Sequence, residues 1–180
     1  PRFSLTDDDK RQLLNVAWNA ISPGSQQREV RPTKVFSVKC GVFVTLTKHG
    51  RLRGCIGHFG EDIALGRITR EMAHAAAFED PRFPPLSADE LPDLTLEISV
   101  LTPLHRIHDI SEFHYGEQGI YMRKGYRSGT FLPQVADEVN WTKEEFLGHC
   151  AQDKAGIGWD GWRTADLYTY EAIRFEEPYR

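Results

Sequence analysis

Residues 41–57 read GVFVTLTKHGRLRGCIG, and this stretch decides the fold class. From Val42 to Thr47, β-branched and aromatic residues dominate, as they do on a pleated, half-buried strand. Lys48-His49-Gly50-Arg51 has turn chemistry, and Leu52 opens a return strand that carries Cys55. The stretch therefore predicts a β-hairpin, whose strands pair antiparallel without a crossover helix.

Upstream, Leu13, Leu14, Ala17, Trp18 and Ile21 recur at helical spacing behind Thr6, whose hydroxyl is placed to cap a helix while Asp9 sits three residues on. A first helix over residues 6–21 follows, ended by Ser22-Pro23-Gly24-Ser25 and a surface loop through Arg31-Pro32. Downstream, Ile63, Leu65, Ile68, Met72, Ala75 and Ala76 predict a helix over 63–78, with Asp62 as its cap and Pro81, Pro84 and Pro85 closing it. Ser87 and Glu90 have capping-box spacing, and Leu94, Leu96, Ile98 and Val100 alternate with Thr95, Glu97 and Ser99 as a strand. Residues 105–116 show no clear period. Residues 119–132 read as a second hairpin about Lys124-Gly125, Thr142 and Glu145 start a helix through Cys150 that Gly156 and Gly158 break, and residues 168–175 read as one last strand. Strands arrive as hairpins and no repeat has a fixed period, so the fold class is α+β, a mainly antiparallel sheet flanked by helices.

A chain of 180 residues with 40% hydrophobic content predicts a single domain over residues 1–180, with room for two lobes. The net charge of -4 argues against a general polyanion binder, because non-specific nucleic-acid affinity needs a basic surface. No apolar run is long enough to span a membrane, and Asp7, Asp8 and Asp9 stand where a signal peptide needs apolar residues. The chain opens on Pro1 without a methionine, so residues trimmed from before it are expected. Cys40, Cys55 and Cys150 are too sparse for a disulfide framework, which predicts a reducing compartment, by default the cytoplasm.

The hexapeptide LRGCIG, Leu52 to Gly57, resembles the signature of the AMMECR family. The preceding GVFVTLTKHGR, then AAAFEDPRFPPLSADELPDLTLEISVLTP over 75–103, YRSGTFLPQVADE over 126–138 and the spacing of Glu144 to Gly156 resemble that family in order and distance, over nearly the whole chain. The resemblance implies two lobes with a cleft near the hexapeptide and a fold likened to nucleotide- and nucleic-acid-binding domains, an analogy that establishes no activity. It also implies partners in a shared pathway, Memo-like or radical-SAM proteins. No cofactor is predicted, since the three cysteines are too far apart in sequence for a radical-SAM cluster motif.

Gly54 and Gly57 bracket Cys55, and glycines there permit close approach of another group. Alternation would place Arg51 and Arg53 on the face of Cys55, where a guanidinium favours a thiolate. Cys55 is thus a nucleophile or ligand contact on one reading and a small buried residue in a tight bend on the other. Cys55 and His58 have C-x-x-H spacing with Cys40 as a third donor, short of the four that a structural zinc needs, so no metal is predicted. His74 sits among alanines as a packed histidine or a general base, and Glu97 on the polar face of its strand is solvated or a cleft acid. Arg127 and Thr130, beside Arg123 and Lys124 on the second hairpin, are candidates with Arg53 for binding a phosphate or carboxylate. Asp80, Pro81, Arg82 and Phe83 have a structural account: a helix stop, an ion pair and an aromatic plug.

These residues predict a cleft for a small anionic or nucleotide-like ligand, lined by Arg53, Gly54, Cys55 and Gly57. They leave open whether the thiol makes it an enzyme. The alternative is an adaptor that docks the pathway proteins; nucleic-acid binding ranks below both.

Overall fold

The computed structural model describes residues 3–180. In chain order they form α1 (Asp7–Ile21), β1 (Val42–Lys48), β2 (Arg51–His58), α2 (Leu65–Phe78), β3 (Leu94–Leu101), β4 (His105–Ile107), β5 (Gly119–Lys124), β6 (Arg127–Phe131), α3 (Val135–Glu138), α4 (Lys143–His149), β7 (Asp166–Tyr170) and β8 (Ala172–Pro178). The fold is α+β, with two four-stranded sheets. The chain divides into two compact units, one running to Leu101 and resuming over Ile173–Arg180, the other Thr102–Ala172. No described helix is long and apolar enough to cross a membrane.

The first unit is built on the predicted hairpin. His49 and Gly50 both have positive φ, 52° and 76°, the conformation of a tight turn whose twist matches the flanking strands. β1 pairs antiparallel with β2 and β3, and the sheet order is β2-β1-β3-β8. Val42, Val44 and Leu46 of β1 and Leu94, Leu96, Ile98 and Val100 of β3 are buried with Leu13, Ala17, Trp18, Leu65, Ile68 and Ala76 of the two helices. Each such large side chain contributes about 1.5–3 kcal/mol by leaving water. Thr6 and Asp9 form the reciprocal cap of α1 that their spacing predicts. α2 starts two residues later than predicted, at Leu65, and Asp62 does not cap it: the Asp62 carboxylate lies 2.7 Å from Nε2 of His58 instead.

The second unit has the sheet order β4-β7-β5-β6, antiparallel throughout, and its own core around Phe113, Ile120, Met122, Phe146, Leu147 and Cys150. Its ends are fastened together, because Thr102 N donates to Glu171 O (2.8 Å) and Glu171 N donates to the Thr102 hydroxyl (2.7 Å). The Thr142–Glu145 cap starts α4 as predicted, but the helix runs past His149 into a π-helical turn over Cys150–Lys154 before the glycines. The single strand predicted over 168–175 is two strands in two sheets, since Glu171 interrupts it.

Candidate functional site

The hexapeptide forms most of β2, and its register departs from simple alternation. Thr47 pairs with Leu52 and Leu46 with Gly54, which makes Arg53 the extra residue of a β-bulge. Cross-strand partners share a face of the sheet. Beyond the bulge Cys55 lies opposite Thr45 and Gly57 opposite Phe43; before it Leu52 lies opposite Thr47 and Arg51 opposite Lys48. Leu52 therefore shares the face of Cys55, and Arg51 falls on the face that packs against α1 and α2. The expectation that Arg51, Arg53 and Cys55 line one face is overturned, because one inserted residue reverses the side-chain alternation.

Arg53 is buried and committed elsewhere. Its Nε donates to Glu90 Oε1 (2.9 Å), and its Nη2 donates to Glu90 Oε2 (3.2 Å) and to Pro84 O (2.8 Å). Lys48 Nζ donates to the same carboxylate (3.1 Å). The Arg53 guanidinium, helped by the Ser87 N–H and Lys48 and opposed by burial, holds Glu90 well below the usual carboxylate range. This guanidinium fastens the bulge to the 84–90 segment and is not a partner of the thiol.

The cation at Cys55 is Arg82. Cys55 N donates to Asp80 Oδ2 (3.0 Å), and Arg82 Nη2 donates to Cys55 O (3.3 Å). Asp80 and Arg82 are joined by Nε to Oδ1 (3.0 Å) and Nη2 to Oδ2 (2.8 Å), so one ion pair grips both ends of the Cys55 residue's backbone. Arg82 first, then the Cys55 N–H, hold the Asp80 carboxyl well below its ordinary range. The predicted ion pair is present; its grip on Cys55 was not legible, because 25 residues separate Asp80 from Cys55 in sequence. The Asp80 side chain is buried, whereas that of Arg82 is 55% exposed.

The Cys55 thiol is partly exposed and lies 3.2 Å from the Thr45 hydroxyl. Glu97 is opposite Thr45 on β3, and Arg174 of β8 reaches the Glu97 carboxylate at 3.2–3.3 Å. Cys55, Thr45, Glu97 and Arg174 thus form a polar row across the sheet, on the face away from the helices. The other thiols are different: Cys40 and Cys150 are buried, and burial pushes them up to about 11 and about 12.

Both glycines of the hexapeptide have packing roles. A Cβ on Gly54 would run into the Ala76 carbonyl of α2, and one on Gly57 would overlap the Phe43 ring. His58 falls on the opposite face of β2 from Cys55, so the C-x-x-H pair diverges, as three steps along a strand require. His74 is not packed as expected. Its neighbours Ala73, Ala75, Ala76 and Ala77 are buried, but its own position turns outward, with the side chain 53% exposed beside Phe78 and 3.8 Å from Glu79. In the second unit, Arg127 Nη1 donates to Gly156 O (2.8 Å), and the Thr130 hydroxyl donates to Ile120 O (2.8 Å) beside the Tyr170 hydroxyl (2.7 Å). Both stabilise their own hairpin and its neighbours. Among the described residues, no group of three or more His, Cys, Asp or Glu side chains has the geometry of a metal site.

Comparison with known proteins finds relatives over nearly the whole chain. The family model described as AMMECR1 matches residues 14–175. Protein TK0174 of Thermococcus kodakarensis is 41% identical, over 98% of this chain and 94% of its own length. Protein MK0488 of Methanopyrus kandleri is 40% identical, over 96% of this chain and 90% of its own. The crystal structure of the uncharacterized protein PH0010 from Pyrococcus horikoshii superposes with a TM-score of 0.77 at 35% identity, covering 98% of this chain and 95% of that one.

Proposed function

The chain belongs to the AMMECR1 family, and from that premise we propose that it binds a small anionic or nucleotide-like ligand at Cys55, with Arg82 as the charged contact. One observation carries the proposal: the Asp80–Arg82 ion pair immobilises the backbone of the one partly exposed cysteine, while the Arg82 guanidinium stays half exposed. Preorganised groups of this kind lower the entropy lost on binding. Arg82 takes the part that spacing assigned to Arg53, and the Thr45–Glu97–Arg174 row supplies hydroxyl, carboxylate and guanidinium groups for a ligand's polar edge. Thiol catalysis would need a base in reach, and the hydrogen-bonding partner of the thiol is the Thr45 hydroxyl.

Two alkylating agents of nearly equal size test this. Iodoacetate is an anion and iodoacetamide is neutral, so the ratio of their rates at Cys55 reads the local field. The ratio is expected to exceed that of free cysteine, to fall on Arg82→Ala and to recover on Arg82→Lys. A ratio equal to that of free cysteine, or one indifferent to Arg82, would sink the proposal. A second reading, docking of Memo-like or radical-SAM proteins, is favoured by Tyr126, 91% exposed at the tip of the β5–β6 hairpin. A pull-down that loses its partner on Tyr126→Ser but keeps it on Cys55→Ala would support docking over ligand binding.

A further inference from the structure

We propose a second ligand site in the first unit, a hollow between α1, the loop after it and α2 that takes an amphipathic anion: an apolar body with one carboxylate or similar head. The hollow measures about 480 Å³, within the range of small-molecule sites. The loop is built to leave one side apolar. Its backbone polar groups are turned to α1, where Asn19 both donates to Arg28 O (2.8 Å) and accepts from Arg28 N (2.7 Å), and Gln12 accepts from Arg31 N (2.8 Å). Val30, Pro32 and Phe36 then line the hollow together with Val16 and Ala20 of α1. At its α2 wall Gly66 lets the Phe36 ring come close, since a Cβ there would overlap the ring.

Charge identifies the occupant. The charged residues of this lining are Arg67 and Arg70, one turn apart on α2, with no carboxylate among them. Arg67 is already paired with Glu71 (2.8 Å), whereas Arg70 makes no hydrogen bond or ion pair among the described residues. Arg70 also borders an adjoining hollow of about 470 Å³, lined by Ala20, Met72 and Ala75 together with Glu71, His74 and Glu79, so it stands where two hollows meet. A cation so placed favours an anionic head at Arg70 with the apolar body along Val16, Val30 and Phe36.

Amide chemical-shift titration of the full chain with sodium decanoate, decanol and decyltrimethylammonium tests this. Decanoate is expected to saturate with a Kd below about 1 mM, with shifts clustered at residues 16–20, 30–36 and 66–70. Arg70→Gln should weaken decanoate roughly tenfold and leave decanol unchanged, and Ala20→Trp, which fills the hollow, should abolish both while keeping the spectrum folded. Decanol binding as tightly as decanoate would overturn the proposal, as would shifts centred elsewhere or no saturation. A chain that sediments as a dimer and ignores decanoate would assign the hollow to a second copy and overturn it too.

Discussion

At the scale of single residues, one thiol and one carboxylate carry the testable chemistry. Cys40 and Cys150 are buried and held protonated up to about 11 and about 12, whereas Cys55 is partly exposed. Between pH 7 and 9, peptide-resolved iodoacetamide labelling should therefore modify Cys55 first, and labelling of the others should await denaturation. If Cys40 or Cys150 leads, the contrast in burial is not what governs reactivity. Glu90 carries a pH dependence with a definite sign. Its folded value lies below its ordinary 4.5, so its ionised form is favoured by folding. That stabilisation is complete above pH 4.5 and is lost as the pH falls below it toward the folded value. Glu90→Gln should accordingly lower the urea midpoint at pH 7, and the gap from the parent should narrow as the pH drops through 4.5; a gap constant from pH 7 to pH 3 would refute the assignment. The candidate residues themselves were legible as types, because glycines around a cysteine and arginines near them stand out in any reading. Which arginine meets the cysteine was not, since that depends on a bulge and on a contact between distant segments.

At the scale of elements, β2 shows how closely its sequence is fitted to its neighbours. The Ala76 carbonyl opposite Gly54 is helix backbone and cannot yield locally, whereas the Phe43 ring opposite Gly57 can turn. Gly54→Ala should cost about 3 kcal/mol and Gly57→Ala about 1 kcal/mol, the span expected for overpacking. Urea unfolding of the two variants would check the order, and equal or reversed losses would show that α2 can back away from β2. The hairpins, the cap of α1 and the β3 strand were readable because each rests on a local signal: turn residues, a capping box, strict alternation. The π-helical turn after α4 has no such signal; it stands where the backbone passes close to β6, with Gly129 against Lys154 and Ala155. Likewise no glycine, proline or turn signal in residues 168–175 marks Glu171 as a break, since it stands between Tyr168-Thr169-Tyr170 and Ala172-Ile173, which together read as one run of strand-forming residues.

At the scale of the molecule, the chain leaves the first unit at Leu101 and resumes it at Ile173, so the second unit is a continuous insertion. It has its own sheet and core, and the hydrogen bonds between Thr102 and Glu171 hold its ends together. A fragment of residues 102–172 is expected to melt cooperatively by circular dichroism, with the fluorescence of Trp141, Trp159 and Trp162 changing in the same transition. A broad, probe-dependent melt would mean that its core is incomplete alone. The division had no signature in composition, because both units share one polar and apolar balance and the boundary falls inside what reads as one strand. By itself the sequence determined the α+β class, the antiparallel hairpins and the presence of a cysteine worth testing, all of which depend on residues adjacent or a few positions apart, and the family, which rests on the order of such local stretches along the chain. Only the tertiary structure decided that Arg53 belongs to Glu90 and Arg82 to Cys55, and that the last strand divides between two sheets. Those outcomes are set by register and by packing between segments tens of residues apart, where one inserted residue reverses a face and no local preference records it.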